Sequence, residues 1–312
     1  MPQPIPHIVV VGSINMDLVA RVARLPRAGE TVSGRTLESI PGGKGANQAV
    51  AAARLGAKVT MCGRLGDDAF APQLRASLVD AGVNAETVHS TPGCSSGVAW
   101  IGVDDSGANS ITVIAGANGR VTIDDVREWE PKIQSADMVI VQGEIPVPAI
   151  AAVLDAARRH GVRSIFDVAP VPTEPMPSEC WQADILSPNQ TEAEQLTGLP
   201  VDSWMTAEGA AVALHQLEAK TVVLKLGILG ALIHEPGQPA VRVPAFQVDA
   251  VDTTAAGDAF TAALAVAWAG GSSLAEATRF ACAAGACAAM TLGAQPAMPT
   301  RAAIEAVLSS TK

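Results

Sequence analysis

The 312-residue sequence contains no tyrosine, and aromatic residues make up only 3% of it. A surface that stacks the bases of single-stranded nucleic acid needs several aromatic side chains, so we do not expect one here. Basic charge is also scarce: 21 lysine and arginine residues stand against 31 acidic ones, for a net charge of −10. This balance argues against a nucleic-acid or anionic-membrane partner. An acidic enzyme can still bind ATP, because local N–H groups and metal ions decide that affinity.

Cysteine is rare as well, with five residues, no CxxC pair and an odd count. Such a set favours free thiols in a reducing compartment over a disulfide framework. The first seven residues have neither the positive start nor the apolar core of a secretory signal. No uninterrupted apolar run is long enough to span a membrane. We therefore expect a cytoplasmic protein without a membrane partner.

Apolar residues make up 48% of the chain, enough for a large buried core. Short β-branched runs alternate with helical patterns, which predicts a mostly parallel sheet covered by helices on both faces. We predict strands at residues 7–11, 58–65, 138–142, 163–168, 185–187, 221–226 and 241–251. We predict helices at residues 49–55, 69–81, 149–160, 191–196, 207–217, 259–269, 280–290 and 301–308. Residues 14–40 and 97–114 alternate loosely between turns, and we expect them to pair as a small β flap.

The run DTTAAGDAF at 252–260 joins the last predicted strand to a long apolar helix. Free backbone N–H groups at a helix start attract anions, phosphate above all, and the small residues Ala255, Ala256 and Gly257 leave room for a ligand. Asp258 in this first turn has two interpretations. It is an acid that favours the helix dipole, or a base that takes a proton from a substrate hydroxyl while the N–H groups hold a phosphoryl group. The Gly-Asp pair and a second acid at the start of the run favour the base.

Polar residues follow several predicted strands, at the sheet edge where open α/β proteins bind ligands. Asn15 and Asp17 follow the first strand, and the run GGKG at 42–45 then opens a helix. That glycine-rich start suits a polar ligand but is not a phosphate loop, because glycine stands where GxxxxGK[ST] requires Ser or Thr. Asn189 and Glu192 are explained equally well as a helix cap and as a site where the acid holds Mg²⁺ through water.

Other chemistries are disfavoured. A dinucleotide-dependent oxidoreductase would need GxGxxG after the first strand, where GSIN stands at 12–15. Asp67 and Asp68 are better explained as helix caps than as catalysts. The five histidines are scattered and show no metal or triad spacing.

Seven motifs, in order, make the sequence resemble the ribokinase-like (PfkB) carbohydrate kinases over essentially its whole length. They are NMD at 15–17, GGKGANQA at 42–49, GDD at 66–68, AGAN at 115–118, PNQTEAE at 188–194, DTTAAGD at 252–258 and GAQP at 293–296. The resemblance implies one kinase domain over residues 1–312, a three-layer α/β/α fold with a mostly parallel sheet. A small β lid would be inserted at about 14–40 and 97–114. It also implies ATP-dependent phosphorylation of the 5-hydroxyl of D-ribose, or, in a sister kinase, of deoxyribose, fructose or a nucleoside.

The resemblance implies roles for individual residues. The sugar would be held by Asn15, Asp17, Gly43, Lys44, Asn47, Glu144 and Asp258. Asp258 would be the base, beside an anion hole made of the backbone N–H groups of Ala255, Ala256, Gly257 and Asp258. ATP, with Mg²⁺ near Glu192, would be contacted by Asn189, Glu192, Lys225, Gly227, Gly230, Gly257 and Cys282. An activating K⁺ would be held by Asp252, Thr254, Ala288, Thr291, Gly293 and Ala297.

Four positions depart from the usual family pattern. Ile228-Leu229 replace a polar pair in the ATP loop, Cys282 stands where His or Asn is common, DVAP at 167–170 replaces NPAP, and Ala297 replaces a frequent Ser. These changes bear on nucleotide affinity and cation dependence and leave the base and the sugar set intact. A sugar-binding regulator without catalysis is therefore disfavoured. The resemblance further implies a homodimer formed through the lid.

Overall fold

A nine-stranded sheet forms the centre of the protein. The computed structural model describes residues 5–310. Residues 1–4 belong to the segment that was expected to carry no secretory signal, and they lie outside the described residues. The strands are β1 His7–Val11, β2 Asn15–Val22, β3 Gly34–Gly42, β4 Lys58–Leu65, β5 Val88–Ser90, β6 Gly97–Val103, β7 Asn109–Ile114, β8 Met138–Gln142, β9 Arg163–Asp167, β10 Ile185–Leu186, β11 Thr221–Lys225, β12 Gly230–His234 and β13 Val241–Pro244. The order of the strands in the central sheet is β13-β12-β11-β10-β9-β8-β1-β4-β5. Neighbouring strands are parallel except for the pairs β11–β12 and β12–β13, which are antiparallel.

Helices cover both faces of this sheet, as the alternating pattern predicts. They are α1 Lys44–Arg54, α2 Ala71–Asp80, α3 Ile123–Gln134, α4 Val147–Arg159, α5 Ser178–Trp181, α6 Gln190–Thr197, α7 Trp204–Gln216, α8 Ala256–Ala269, α9 Leu274–Ala289 and α10 Arg301–Ser310. One apolar core lies under α1, α2, α8, α9 and α10, and the other under α3 to α7. None of the helices in residues 5–310 is long and apolar enough to cross a membrane.

The central strand β1 shows how the sequence builds these three layers. Ile8 and Val10 belong to one core, whereas Val9 and Val11 belong to the other, and all four are fully buried. Successive side chains of a strand point to opposite faces, so a strand buried on both faces reads as an unbroken apolar run. The parallel sheet brings the carboxyl ends of its strands to a single edge, where the polar residues lie.

The β flap is a separate four-stranded sheet with the order β3-β2-β6-β7. The hairpin of β6 and β7 pairs with the earlier strands through a parallel β2–β6 ladder, which runs from Asn15 opposite Gly97 to Arg21 opposite Val103. Its strands β3 and β7 are largely exposed. Asn15, the first residue of β2, ties this lid to the end of β1.

The strand predicted at 241–251 is too long. β13 ends at Pro244, because its pairing partner β12 begins at Gly230, directly opposite Pro244. Residues 245–250 then run beside a pocket instead of along a strand. Helix α8 also begins earlier than predicted, at Ala256, so that Asp258 belongs to its first turn.

The expected capping role of the GDD motif is met by one of its two acids. Asp68 Oδ1 accepts from the N–H groups of Phe70 and Ala71, at 3.2 and 3.1 Å, at the start of α2. Asp67 instead accepts from the Gly93 N–H at 2.8 Å. The two acids therefore hold a helix start and a neighbouring loop.

Candidate active site

The first half of the site lies where β1 ends and α1 begins. Gly43 has a φ of +89°, and a Cβ there would lie 2.7 Å from Asn15 N. A Cβ on Gly45 would lie 2.7 Å from Ser13 N and O. Because only glycine fits at these two positions, α1 starts directly against the chain that leaves β1. This packing brings the first turn of α1 against the start of β2.

Asn15 is buried, and Asn118 fixes the orientation of its amide. Asn118 Nδ2 donates to Asn15 Oδ1 over 2.7 Å and to Ile14 O over 3.2 Å, while Asn118 Oδ1 accepts from the Ile14 N–H at 3.0 Å. Since the acceptor oxygen of Asn15 is engaged, its Nδ2 is the group that can donate to a ligand. A Cβ at Gly97 would lie 2.1 Å from Asn15 Oδ1. Asn118 is the last residue of the AGAN motif at 115–118, but its contact with Asn15 was not predicted.

Glu144 follows β8 and closes the same cradle. Its Oε2 accepts hydrogen bonds from Ser13 Oγ and from Lys44 N, the latter at 3.2 Å. Ser13 Oγ in turn accepts from the Gly45 N–H at 3.3 Å. Ser13 was not among the predicted site residues. It lies just after β1, at the sheet edge where polar residues were expected to bind a ligand.

Lys44 and Asp17 form the charged part of the cradle. Burial, reinforced by the charges of Glu144 and Asp258, raises the pKa of Asp17 to about 7, and Lys44 opposes this. Burial alone would lower the pKa of Lys44, but the surrounding carboxylates, Asp258 and Glu144 above all, outweigh it and raise that pKa above its ordinary value. The cradle thus combines a charged ammonium, carboxylates and amides, which are the donors and acceptors that sugar hydroxyls require.

Asp258 is 4% exposed, in the first turn of α8. Its Oδ2 accepts from Asn47 Nδ2 at 2.9 Å, and its Oδ1 accepts from Gln48 Nε2 at 3.0 Å. Burial raises its pKa above the ordinary value, although Lys44 acts to lower it. A carboxylate with a raised pKa is better suited to accept a proton near neutral pH. The acid therefore faces the ligand cradle, whereas an acid that only favours the helix dipole would lie at the surface.

The start of α8 offers unpaired backbone donors to an anion. No side chain caps this helix. Within residues 5–310, the N–H groups of Ala255, Gly257 and Asp258 have no hydrogen-bond partner. The Ala256 N–H donates to Thr253 O at 3.2 Å. Three of the four expected donors are thus free in this structure, and Ala256 is engaged within the loop.

A pocket of about 460 Å³ opens beyond Asp258, between the ends of β9 and β11 and the helices α6, α8 and α9. Every residue implied as an ATP contact lines it: Asn189, Glu192, Lys225, Gly227, Gly230, Gly257 and Cys282. Lys44 and Asp258 line it too, so the pocket and the cradle meet at these two side chains. Burial raises the pKa of Cys282 to about 12, so its thiol stays neutral and presents an apolar surface.

Three pocket-lining features went unpredicted as parts of the site. Asp167, at the end of β9, lines the pocket. Residues 245–248 and Ala250 line one side of the pocket, where a strand was expected. Gly285 and Ala286 of α9 line another. The small-residue pattern of α9 is the one sequence signal that marks this side.

The Asn189–Glu192 pair forms the capping box that the sequence suggested. Glu192 Oε2 accepts from Asn189 N and Oε1 from Asn189 Nδ2, both at 2.7 Å, and Glu192 N donates to Asn189 Oδ1 at 2.9 Å. Burial raises the pKa of Glu192, and the Lys225 ammonium opposes this. Glu192 also lines the pocket, so this one residue both takes part in the cap of α6 and faces the pocket.

The residues implied for a monovalent cation lie around the loop before α8 and the turn after α9. Asp252 Oδ1 accepts from Thr254 N at 3.0 Å, and its Oδ2 accepts from Gly293 N at 2.9 Å. Asp252 N itself donates to Ala289 O at 3.1 Å. The implied cation site also includes three residues at the end of α9 and in the segment that follows it: Ala288, Thr291 and Ala297. In residues 5–310, no group of three His, Cys, Asp or Glu side chains suits a metal ion, so backbone carbonyl oxygens would have to supply most ligands.

The fold and the site together define a class of enzyme. An α/β sheet with a β lid places a polar cradle, a buried acid and the free N–H groups of a helix start beside a pocket with a cationic side chain. This is the arrangement of a kinase that phosphorylates a hydroxyl group. The profile of the pfkB family carbohydrate kinases matches residues 6–301, and the chain belongs to that family.

Individual relatives agree with this assignment. The ribokinase of Bacillus subtilis is 39% identical over 305 residues, which covers 97% of this chain and 99% of that protein. The deoxyribokinase of Salmonella typhi is 37% identical over 253 residues, or 81% of this chain and 82% of that one. The structure of Arabidopsis thaliana ribokinase complexed with ribose and ATP superposes with a TM-score of 0.89 at 37% identity, covering 98% and 99% of the two chains.

Proposed function

We propose that the chain is an ATP-dependent kinase that phosphorylates the 5-hydroxyl of D-ribose and produces D-ribose 5-phosphate and ADP. One observation carries this proposal: Asp258 lines the pocket and also accepts a hydrogen bond from Asn47 of the cradle. The acid therefore stands where a sugar hydroxyl and a terminal phosphoryl group would meet. The similarity to a ribokinase complexed with ribose and ATP supports this choice of substrates.

In this proposal the sugar binds to the side chains that surround Lys44. Asn15 donates through Nδ2, because Asn118 engages its oxygen. Asp17 and Glu144 accept from sugar hydroxyls, and Lys44 donates to them. Gly43 lets the backbone approach the sugar closely, since its φ of +89° excludes other residues. Asn47 holds the base and leaves its own buried Oδ1 without a partner in the described residues, where a sugar hydroxyl can donate.

Transfer then proceeds at Asp258. The carboxylate takes the proton of the 5-hydroxyl as the oxygen–phosphorus bond forms and the bond to the leaving ADP breaks. The free N–H groups of Ala255, Gly257 and Asp258 stabilise charge on the transferring phosphoryl group. The pocket residues Asn189, Gly227 and Gly230 hold the nucleotide, and Cys282 contributes an apolar surface to it.

Two ions belong to the same proposal. Mg²⁺ neutralises phosphate charge when bound; Glu192 would hold it through water, since both of its carboxylate oxygens already accept from Asn189. K⁺ suits a site built mainly of backbone carbonyl oxygens. Its ligands would come from Asp252, Thr254, Ala288, Thr291, Gly293 and Ala297. The fit rests on Asp252, which joins the two loops that carry these carbonyls.

We also propose a homodimer formed through the lid and a cytoplasmic location. Exposed apolar side chains on the lid, such as Leu37 at 62% and Val113 at 53% exposure, support the dimer. All five cysteines are free, which suits a reducing compartment.

A second candidate is the phosphorylation of deoxyribose, which the similarity to a deoxyribokinase favours. The two candidates are separated by coupled ADP release from purified protein with D-ribose, 2-deoxyribose, fructose and a nucleoside. The first proposal predicts the highest kcat/KM on D-ribose. No activity on ribose together with strong activity on another sugar would overturn it.

A further inference from the structure

Asp167 is a buried carboxylate that the transfer step described above does not use. It ends β9 and is 1% exposed. Its Oδ1 lies 2.6 Å from Lys225 Nζ, and its Oδ2 accepts from Gln48 Nε2 at 2.8 Å and from Thr261 Oγ1 at 2.9 Å. Taking a carboxylate out of water is expensive unless it is paired and hydrogen-bonded. These three partners meet that cost and fix the carboxylate in one orientation.

The first partner, Lys225, is the ammonium that faces the anion hole. Its Nζ lies 3.9 Å from the place that a Cβ on Gly257 would occupy, next to the free N–H groups of α8. A lysine side chain has four flexible carbons and no fixed direction of its own. In this pocket the Asp167 carboxylate supplies that direction, and the Lys225 side chain is only 11% exposed.

The second partner, Gln48, joins Asp167 to the base. Gln48 Nε2 donates to Asp167 Oδ2 at 2.8 Å and to Asp258 Oδ1 at 3.0 Å. Its Oε1 accepts from Gln142 Nε2 at 2.7 Å. Because the amide oxygen is engaged by Gln142, the NH₂ group must face the two carboxylates. The Gln48 amide therefore lies between Asp167 and Asp258 and fixes the position of Oδ1 of the base.

We propose that Asp167 is a positioning residue for both sides of the phosphoryl transfer. It holds the Lys225 ammonium beside the anion hole, and through Gln48 it fixes the carboxylate of Asp258. The inference rests on the proposed kinase function but not on the identity of the sugar. Lys225 then stabilises charge that develops on the phosphoryl group during transfer, which is where a fixed cation acts most strongly.

The kinetic effect that we expect from substitution of Asp167 follows from the loss of its charge. Replacing Asp167 with Asn keeps the size of the side chain and its contact with Gln48 but releases Lys225. The released Lys225 keeps its charge inside the pocket, so most of its attraction for bound ATP remains, but it no longer holds the fixed position beside the anion hole that matters during transfer. We therefore expect kcat to fall by about 30-fold or more while the KM for ATP rises by less than about threefold. A residue with only a structural role would change the KM for ATP or the melting temperature instead.

A double-mutant cycle tests the proposal. Asp167→Asn, Lys225→Met and the double variant are assayed on whichever sugar the wild type prefers, first at a Mg²⁺ concentration that just saturates the wild type and again at a much higher one, with melting temperatures recorded for each. We expect the second substitution to lower kcat by less than about threefold once the first is present, because the two substitutions remove the same function. Asp184→Asn is the matched control. Asp184 pairs with Lys220 over 3.4 Å near the amino ends of β10 and β11, at the opposite edge of the sheet.

Several results would overturn the proposal: an unchanged kcat in Asp167→Asn, losses that multiply in the double variant, or recovery of the lost rate at high Mg²⁺, which would make Asp167 a metal ligand. If the wild type uses another sugar, the assignment of ribose fails and the cycle still decides the role of Asp167. If the wild type phosphorylates no sugar at all, the proposed function fails, and this inference fails with it.

Discussion

The side-chain amide of Asn118 donates to Asn15 Oδ1 across 2.7 Å, and this contact leaves the Nδ2 end of the Asn15 amide as the group that can donate to a ligand. Both residues are buried, at 1% and 3% exposure. Asn118 reaches Asn15 from the turn that follows the lid hairpin, whereas Asn15 begins the lid strand β2. The contact therefore couples the position of the lid to the hydrogen-bonding character of the cradle.

Asn118→Asp should weaken sugar binding specifically. The aspartate oxygen still accepts from the Ile14 N–H, but the donor to Asn15 Oδ1 is lost and two oxygens face each other. Leaving a buried polar group without its partner costs about 1–3 kcal/mol. We expect the KM for the sugar to rise by roughly 10-fold to 100-fold, with the KM for ATP nearly unchanged. Steady-state kinetics with each substrate varied in turn measure both values.

The same chemical change at an exposed place is the control for this variant. Asn109→Asp, on the exposed lid strand β7, should leave both KM values at the wild-type level. Equal losses in the two variants, or an Asn118→Asp protein with unchanged sugar affinity, would show that the Asn118–Asn15 contact does not orient the ligand group.

Asp17 should make the activity depend on pH near neutrality. Burial and the neighbouring carboxylates raise its pKa to about 7, so below that pH the protonated acid is a poorer acceptor for a sugar hydroxyl. We expect kcat/KM for the sugar to rise as pH increases through about 7. In Asp17→Asn the negative charge beside Asp258 is gone, which lowers the pKa of that base. The acidic limb of the pH–rate profile should therefore move to lower pH.

Folding stability offers an independent check on Asp17. Its pKa in the folded protein lies above the ordinary value of 3.8, so the folded state binds the extra proton between these two pH values. The contribution of Asp17 to stability is complete below the ordinary pKa and is lost as pH rises through about 7. Urea unfolding should show that Asp17→Asn loses less stability than wild type between about pH 5 and about pH 8. Identical pH dependence in the two proteins would contradict the raised pKa.

K⁺ should activate the enzyme through the loop that leads into α8. Asp252 holds Thr254 and Gly293 together, and an ion bound among the carbonyls would order the anion hole three to six residues away in the chain. We expect higher turnover in K⁺ than in Na⁺ at equal ionic strength, and loss of this difference in Asp252→Ala. Wild-type rates that are the same in both salts would count against the cation site.

The lid should carry the dimer contact. Ile111 on β7 is 49% exposed, beside other exposed apolar residues of the same sheet. Ile111→Lys should shift the sedimentation coefficient from dimer to monomer, because it places a charge in an apolar interface. Ile123→Lys is the matched control, since Ile123 is 43% exposed but lies on α3. A wild-type protein that sediments as a monomer would refute the proposed dimer.

Much of the architecture could be predicted because local sequence determines it. Buried parallel strands appear as short β-branched runs, and Ile8 to Val11 belong alternately to the two cores as such a run requires. The carboxyl ends of these strands meet at one edge, so Asn15, Glu144 and Lys225 could be assigned to one site from their places in the chain. Asp258 was recognisable because it follows small residues at a helix start.

What escaped prediction depends on contacts between distant residues. The end of β13 is set by its partner β12, which no property of residues 245–251 reveals. Asp167 meets Gln48 from 119 positions away and Lys225 from 58. Each of these residues looks ordinary in its local sequence, and only the packed sheet brings their side chains together. Asn118 joins Asn15 across 103 positions in the same way.

The central claim is that Asp258 is the base of a sugar kinase, and the turnover of Asp258→Asn tests it most directly. Asparagine keeps the size of the side chain but cannot accept the proton. A positioned general base contributes about 100-fold to 10,000-fold to the rate, so we expect a loss of that order in kcat with D-ribose and ATP. A melting temperature near the wild-type value would show that the variant is folded. A variant whose kcat stays within about tenfold of wild type, roughly 1.4 kcal/mol of barrier, would contradict the account.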